Sequence, residues 1–146
     1  MKILVIEARF YDHISDMLLD GAMEALSAAG ADVTTLTVPG ALEIPHVISY
    51  SEQAIMTKFD AYVALGCVIR GETTHYDYVC QESARAIMDL AVDHQLAIGN
   101  GIITVENEAQ AIARADKTQK DKGGFAARAA LQMVDIREHL TKPSKV

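Results

Sequence analysis

Apolar residues recur along this chain in two rhythms that take turns. "KILVI" (residues 2–6) is a short continuous apolar run closed by a polar break, the pattern of a strand buried on both faces of a parallel sheet. In the following "DHISDMLLDGAMEALSAAG", Ile14, Leu18, Ala22, Leu26 and Ala29 recur at helical spacing, and Gly30 stands where a glycine ends a helix. "DVTTLTVPG" (32–40) predicts a second strand stopped by Pro39, and "ALEIPHVISYSEQAIM" (41–56) a helix with Pro45 in its first turn. "YVALGCVI" (62–69) repeats the buried run, and "YDYVCQESARAIMDLAVDH" (76–94) follows as a helix with Val79, Ala86, Ile87 and Leu90 on or near one face. A fourth strand is expected at "LAIGNGIITV" (96–105), then a short helix "NEAQAIARA" (107–115) and a charged loop "DKTQKDKGG" (116–124). A closing helix "FAARAALQMVDIREHL" (125–140) comes last, and the tail after Pro143 is expected to fray.

This alternation predicts an open, parallel four-stranded sheet with helices on both faces, joined right-handedly. Ligands of such sheets sit beyond the carboxyl ends of the strands, near the point where strand order reverses. Chemistry-bearing side chains are therefore expected just after each strand. Composition narrows the field. At 146 residues, half of them apolar, the chain suits one domain over 1–146 with a sizeable core. Thirteen Lys+Arg against twenty Asp+Glu give a formal charge of -7, which repels phosphate backbones and argues against nucleic-acid binding. No segment approaches the ~18 apolar residues of a membrane span, and the apolar start is too short for a signal peptide. Cys67 and Cys80 form neither a disulfide framework nor a metal spacing, so the expectation is a soluble cytoplasmic protein without a metal.

The strand ends carry the candidate chemistry. After the first strand, "EARFYD" places Phe10 and Tyr11 in a connection that is normally polar; a ring there either caps the core or stacks on a planar ligand. After the second, "PGALE" opens a helix, and Glu43 near its start either favours the helix dipole or accepts from ligand hydroxyls. After the third, "GETTHYD" (71–77) combines a glycine for a tight turn, N–H groups at a helix start that suit an anion, the hydroxyls of Thr73 and Thr74, and a titratable His75. Arg70 suits either a phosphate or an ion pair with Glu72 or another acid. In the fourth strand, "GNG" marks either a close approach to the backbone or a bulge. Arg114 and Lys122 flank the charged loop, where a solvated face is the plain alternative. Both cysteines read as packing residues rather than nucleophiles. The nucleotide motifs GxxxxGK[ST] and GxGxxG are absent.

Four segments, "VPGALEIP" (38–45), "ALGCVIRGETTHYDYVCQE" (64–82), "IARA" and "DKGG", resemble the lumazine synthase family, and the likeness runs nearly end to end. The resemblance implies a flavodoxin-like three-layer α/β/α sandwich. It also implies condensation of 5-amino-6-(D-ribitylamino)uracil with 3,4-dihydroxy-2-butanone 4-phosphate to 6,7-dimethyl-8-ribityllumazine, the penultimate step of riboflavin biosynthesis, without cofactor or metal. By the same resemblance Phe10 stacks on the pyrimidine, Ala41, Leu42 and Glu43 hold the ribityl chain, and Cys67, Val68 and Ile69 meet the pyrimidine through their backbone. Glu72 and Thr73 bind phosphate by their N–H groups, Arg114 of a neighbouring subunit neutralises it, His75 shuttles protons, and Lys122 helps position the pyrimidine.

Implied partners are the two small molecules, identical copies of the chain that share active sites, and riboflavin synthase. Three positions depart from the family's pattern. Asn100 stands where many members carry an aromatic that closes over the pyrimidine, and Glu72 replaces a small residue. "ADKTQKDKGG" lacks the GTKAGN-like turn of shell-forming members. With the start at the first strand, that loop leads us to expect a pentamer, or paired pentamers, rather than a shell. Two alternatives stay open: a protein that binds a lumazine or flavin with little turnover, and a flavodoxin-like or receiver-like signalling domain. The latter is disfavoured by His75 and by the lack of an acidic cluster after the first strand.

Overall fold

The computed structural model describes residues 1–142. Strands and helices alternate as β1 (Lys2–Ala8), α1 (Asp12–Ala28), β2 (Asp32–Val38), a single 3-10 turn (Ala41–Glu43) running into α2 (Ile44–Gln53), β3 (Ala61–Ile69), α3 (His75–Asp93), β4 (Ile98–Val105), α4 (Glu108–Ala115) and α5 (Lys122–Thr141). The fraying expected after Pro143 lies outside the described residues. All strand pairs are parallel, in the order β2-β1-β3-β4. That is the flavodoxin-like order, with its reversal between β1 and β3.

Position in the sheet explains the sequence of each strand. β1 and β3 are central and covered on both faces, so Ile3–Ala8 and Ala61–Cys67 are buried without interruption. Alternate residues divide between two cores. Ile3, Val5, Val63 and Leu65 meet Ile14, Leu18 and Leu26 of α1, Ala111 of α4 and Ala126, Ala127 and Ala130 of α5. Leu4, Ile6, Tyr62 and Ala64 meet Ile44 and Ile48 of α2 and Ile87 of α3. The result is the expected three layers. Each fully buried leucine or isoleucine in them contributes about 1.5–3 kcal/mol by leaving water. β2 is an edge strand, and Thr34 to Thr37 are exposed.

Two predicted boundaries shift. The helix expected at 41–56 begins as the 3-10 turn and ends at Gln53, leaving Ile55 and Met56 outside it and more than 90% exposed. Their apolar character had suggested a helix face, but no layer lies opposite them. α5 starts at Lys122 rather than 125, because Asp121 caps it by accepting from Gly124 N at 3.1 Å. Gly123 is small enough to lie on the Leu18 carbonyl, which a Cβ at that position would strike. Among the described residues, no helix is long and apolar enough to cross a membrane.

Candidate active site

The connection after β1 is tied down on every side of one free ring. Glu7, only 5% exposed at the end of the strand, accepts from Arg9 Nη1 at 3.3 and 3.0 Å and from Thr37 Oγ1 at 3.1 Å. Arg9 also bonds Asp12 Oδ1 (3.4 Å), the Asp12 carbonyl (3.2 Å) and the Asp16 carboxylate. Asp16 first, then Glu7, holds the Arg9 guanidinium above its ordinary pKa. Ser15 Oγ donates to the Ala8 carbonyl at 3.2 Å, and the Tyr11 carbonyl accepts from Ile14 N and Ser15 N at 3.1 and 2.9 Å. The two aromatic alternatives divide between the two rings. Tyr11 packs against the core, whereas Phe10 stands 73% exposed with its ring edge-on to Tyr11 at 5.0 Å.

Beside it, Pro39 and Gly40 turn the chain into Ala41–Glu43. Ala41 is buried, Leu42 exposed and Glu43 half-buried. The Glu43 carboxylate folds back over Gly40, where an added Cβ would stand 3.1 Å from Oε2. At the end of β3, Cys67 is buried while Val68 and Ile69 are partly open. Burial pushes the Cys67 thiol up to about 12 and raises Cys80 as well, so both stay protonated and unreactive near neutrality.

The segment after β3 holds the most open backbone of the site. Arg70 is spoken for: its Nε donates to Glu106 at 2.7 Å, its Nη1 lies 3.5 Å from Asp77, and its plane covers the Tyr76 ring at 4.2 Å. The ion-pair alternative for Arg70 thus holds with other acids, Glu106 and Asp77, rather than with Glu72, which is exposed and unpaired among the described residues. Arg70 N donates to Val105 O at 2.9 Å, the last ladder bond. Beyond it, no acceptor among the described residues takes the N–H groups of Gly71, Glu72, Thr73 or Thr74. Thr73 Oγ1 accepts from His75 N at 3.3 Å, and the exposed His75 opens α3. A run of free N–H groups at a helix start attracts anions.

Three of the predicted residues sit back from this end of the sheet. Asn100 pairs in register with Ala64, three positions before the Cys67–Ile103 pair, hence about 10 Å down the strand. It is exposed, and its own Oδ1 accepts from Ile102 N at 3.0 Å. The glycines around it mark a close approach, not a bulge: a Cβ on Gly99 would strike the Ala126 carbonyl of α5, and one on Gly101 would lie 3.0 Å from Ala126 Cβ. α4 starts where His13 of α1 meets Glu108 at 2.7 Å, and Lys117, just past its end, reaches Asp20 and Glu24 further along α1. Arg114 is six residues past Glu108, about 9 Å further along α4. Its Nη1 donates to Gln110 O at 3.1 Å, and among the described residues it has no carboxylate partner. Lys122 begins α5 with its ammonium 5.1 Å from the Phe125 ring centre.

One chain thus gathers Phe10, the Ala41–Glu43 turn, Cys67 to Thr73 and His75 at the β1 and β3 ends, and sets Asn100, Arg114 and Lys122 apart from them. Sequence reasoning missed Glu7 and Arg9. The available signal was a carboxylate at the strand parity of Ile3 and Val5, which face a core. A separate cleft of about 280 Å³ beside α1 is bordered by Glu24, Lys117, Asp121 and Arg128, which satisfy one another in pairs. Among the described residues no group of His, Cys, Asp and Glu is placed to hold a metal ion.

Fold and site define an α/β protein of flavodoxin-like topology with an aromatic ring, an anion-ready backbone and a histidine at its strand ends. Residues 1–138 match the family model described as 6,7-dimethyl-8-ribityllumazine synthase. The 6,7-dimethyl-8-ribityllumazine synthase 1 of Rhizobium meliloti (strain 1021) is 58% identical over 96% of this chain and 94% of that protein. The synthase of Sphingopyxis alaskensis is 61% identical over 93% of this chain and 94% of its own length, and that of Bartonella henselae 56% identical over 94% and 89%. The chain belongs to the 6,7-dimethyl-8-ribityllumazine synthase family.

Proposed function

We propose that the chain condenses 5-amino-6-(D-ribitylamino)uracil with 3,4-dihydroxy-2-butanone 4-phosphate, releasing phosphate and water and giving 6,7-dimethyl-8-ribityllumazine, the penultimate intermediate of riboflavin. The observation that carries this reading is the open run of N–H groups from Gly71 to Thr74 with His75 beside it, in a chain matched by the family model over residues 1–138. Phe10 stacks on the pyrimidine, Ala41, Leu42 and Glu43 hold the ribityl chain, and the backbone of Cys67, Val68 and Ile69 meets the pyrimidine edge. Glu72 and Thr73 give the phosphate their N–H groups, with the exposed Glu72 carboxylate turned to water. His75 carries protons as the amine adds to the ketone, as phosphate leaves and as the second amine closes the ring. Holding both substrates removes their relative motion from the barrier, and fixed positive charge stabilises the departing phosphate. The condensation is redox-neutral, so it calls for no redox group.

In this reading Arg114, Asn100 and Lys122 act on the site of an adjacent copy. The setback of Asn100 from the strand ends supports a shared site, as does the Arg114 guanidinium, which among the described residues faces no carboxylate. We read residues 1–146 as one domain of a cytoplasmic homopentamer, single or paired rather than a shell, with riboflavin synthase as the partner that takes the product. Asn100 removes one stacking wall and lowers affinity for the pyrimidine. The test is purified protein with both substrates, following lumazine absorbance and phosphate release together. Equal release of both, faster than in buffer, supports the proposal; a rate equal to the uncatalysed background would sink it.

A further inference from the structure

The proposed reaction leaves one charged cluster, built around a buried carboxylate, without a task. Among the described residues Glu7 is the only buried carboxylate, and both of its oxygens are taken, by Arg9 (3.0 and 3.3 Å) and Thr37 (3.1 Å). Arg9 spans from there to the Asp12 carboxylate and carbonyl and to Asp16 on α1. Ser15 fixes the Ala8 carbonyl from the same helix. Glu7 is buried but Arg9 is partly open to water and Asp12 and Asp16 are exposed, and ion pairs of either kind add little net stability, so stability is a poor reason for this one. What the cluster does hold still is the three-residue connection Arg9–Tyr11, whose one large exposed side chain is Phe10. An exposed ring on a mobile loop loses motion when a ligand stacks on it, and a ring on a fixed mount loses less.

The geometry points to Glu7 and Arg9 as positioning residues: Glu7 orients the Arg9 guanidinium across the base of the β1–α1 connection, and the fixed connection presents the Phe10 ring ready to receive the planar substrate. This rests on the reading of Phe10 as the stacking ring given above. Glu7 and Arg9 touch no substrate in this account. Glu7 shares register with Thr37, so the same carboxylate also joins the mount to the β2 end that leads into the Ala41–Glu43 turn.

The test is steady-state kinetics with each substrate varied in turn, on wild type, Phe10→Ala, Glu7→Gln and the double variant. Releasing one ordered side chain predicts a KM for the uracil substrate about threefold to tenfold higher in Glu7→Gln. The kcat and the KM for the phosphate substrate stay at the wild-type values, and in the Phe10→Ala background Glu7→Gln changes nothing further. Thr37→Val, which removes one donor and leaves the ion pair, gives a smaller rise in the same KM and serves if Glu7→Gln does not fold. Arg9→Lys, which keeps the charge and loses the fork, behaves as Glu7→Gln. A KM rise that persists undiminished in Phe10→Ala, or a loss spread over kcat and both KM values, overturns the positioning role alone. No change in Phe10→Ala itself overturns the role together with the assignment of the ring.

Discussion

Replacing Arg114 with alanine should weaken binding of the phosphate-bearing substrate while leaving the fold intact. Within the described residues Arg114 donates to the Gln110 carbonyl at 3.1 Å and faces no carboxylate. Its removal therefore strands no buried opposite charge, the situation that costs about 3–5 kcal/mol elsewhere. A partly exposed side chain of this kind changes stability by about 0.5 kcal/mol or less. On the substrate side, a charge-assisted hydrogen bond contributes about 1.5–3 kcal/mol. At 1.36 kcal/mol per factor of ten, that is a KM for the phosphate substrate about tenfold to 150-fold higher. The assay varies each substrate against a saturating level of the other and records thermal unfolding beside it. Arg114→Lys should recover part of the loss, since the charge returns without the bidentate fork. An unchanged KM for the phosphate substrate, or an equal rise for both substrates, would refute the assignment.

Other perturbations probe the proton carrier, the packing and the buried thiol. His75→Ala should lower kcat about a hundredfold or a little more with unfolding unchanged, the low end of what a positioned general acid–base group contributes; a wild-type kcat would remove His75 from the proton path. Gly99→Ala forces a Cβ against the Ala126 carbonyl. Overpacking of this sort costs about 1–3 kcal/mol, or roughly 3–10 °C in Tm for a chain of this size, and a Tm equal to wild type would show that α5 can move aside. Cys67 is raised from near 9.0 to about 12 by burial, so its neutral thiol contributes fully below the unfolded value and loses that contribution as pH climbs towards 12. Unfolding midpoints of wild type should thus fall more steeply above pH ~9 than those of Cys67→Ala, and parallel curves would contradict the burial of the thiol.

The central strands were plain in the sequence because strands covered on both faces need continuous apolar runs, and "KILVI" and "YVALGCVI" are such runs. Element ends were harder, since they depend on what lies opposite. Ile55 and Met56 look like a helix face but meet no layer, and Gly123 looks like a loop but is a contact with Leu18. The "GNG" motif stayed open between a bulge and a close approach until α5 was seen lying on Gly99. In the site, residues adjacent in sequence were legible as a group, as in Gly71 to His75. Choices between neighbours were not: Phe10 and Tyr11 are equivalent on paper, and packing makes Tyr11 a core ring and leaves Phe10 free. Arg70 had several acids within reach and took Glu106 and Asp77 rather than Glu72. Glu7 with Arg9 read as a polar break, because nothing local shows that a carboxylate at a strand end is sealed by a threonine thirty residues later.

In the proposed assembly the ring, the anion cradle and the histidine lie on one copy of the chain and the phosphate-neutralising guanidinium on the next. Mixing tests this most directly. Phe10→Ala/His75→Ala carries a damaged strand end and an intact Arg114, and Arg114→Ala carries the reverse. Each alone should turn over poorly at low concentrations of the phosphate substrate. Co-assembled in equal amounts, a random ring has both intact halves at about one interface in four, so activity should return to about a quarter of wild type. Activity no higher than the mean of the two parents would contradict the shared site.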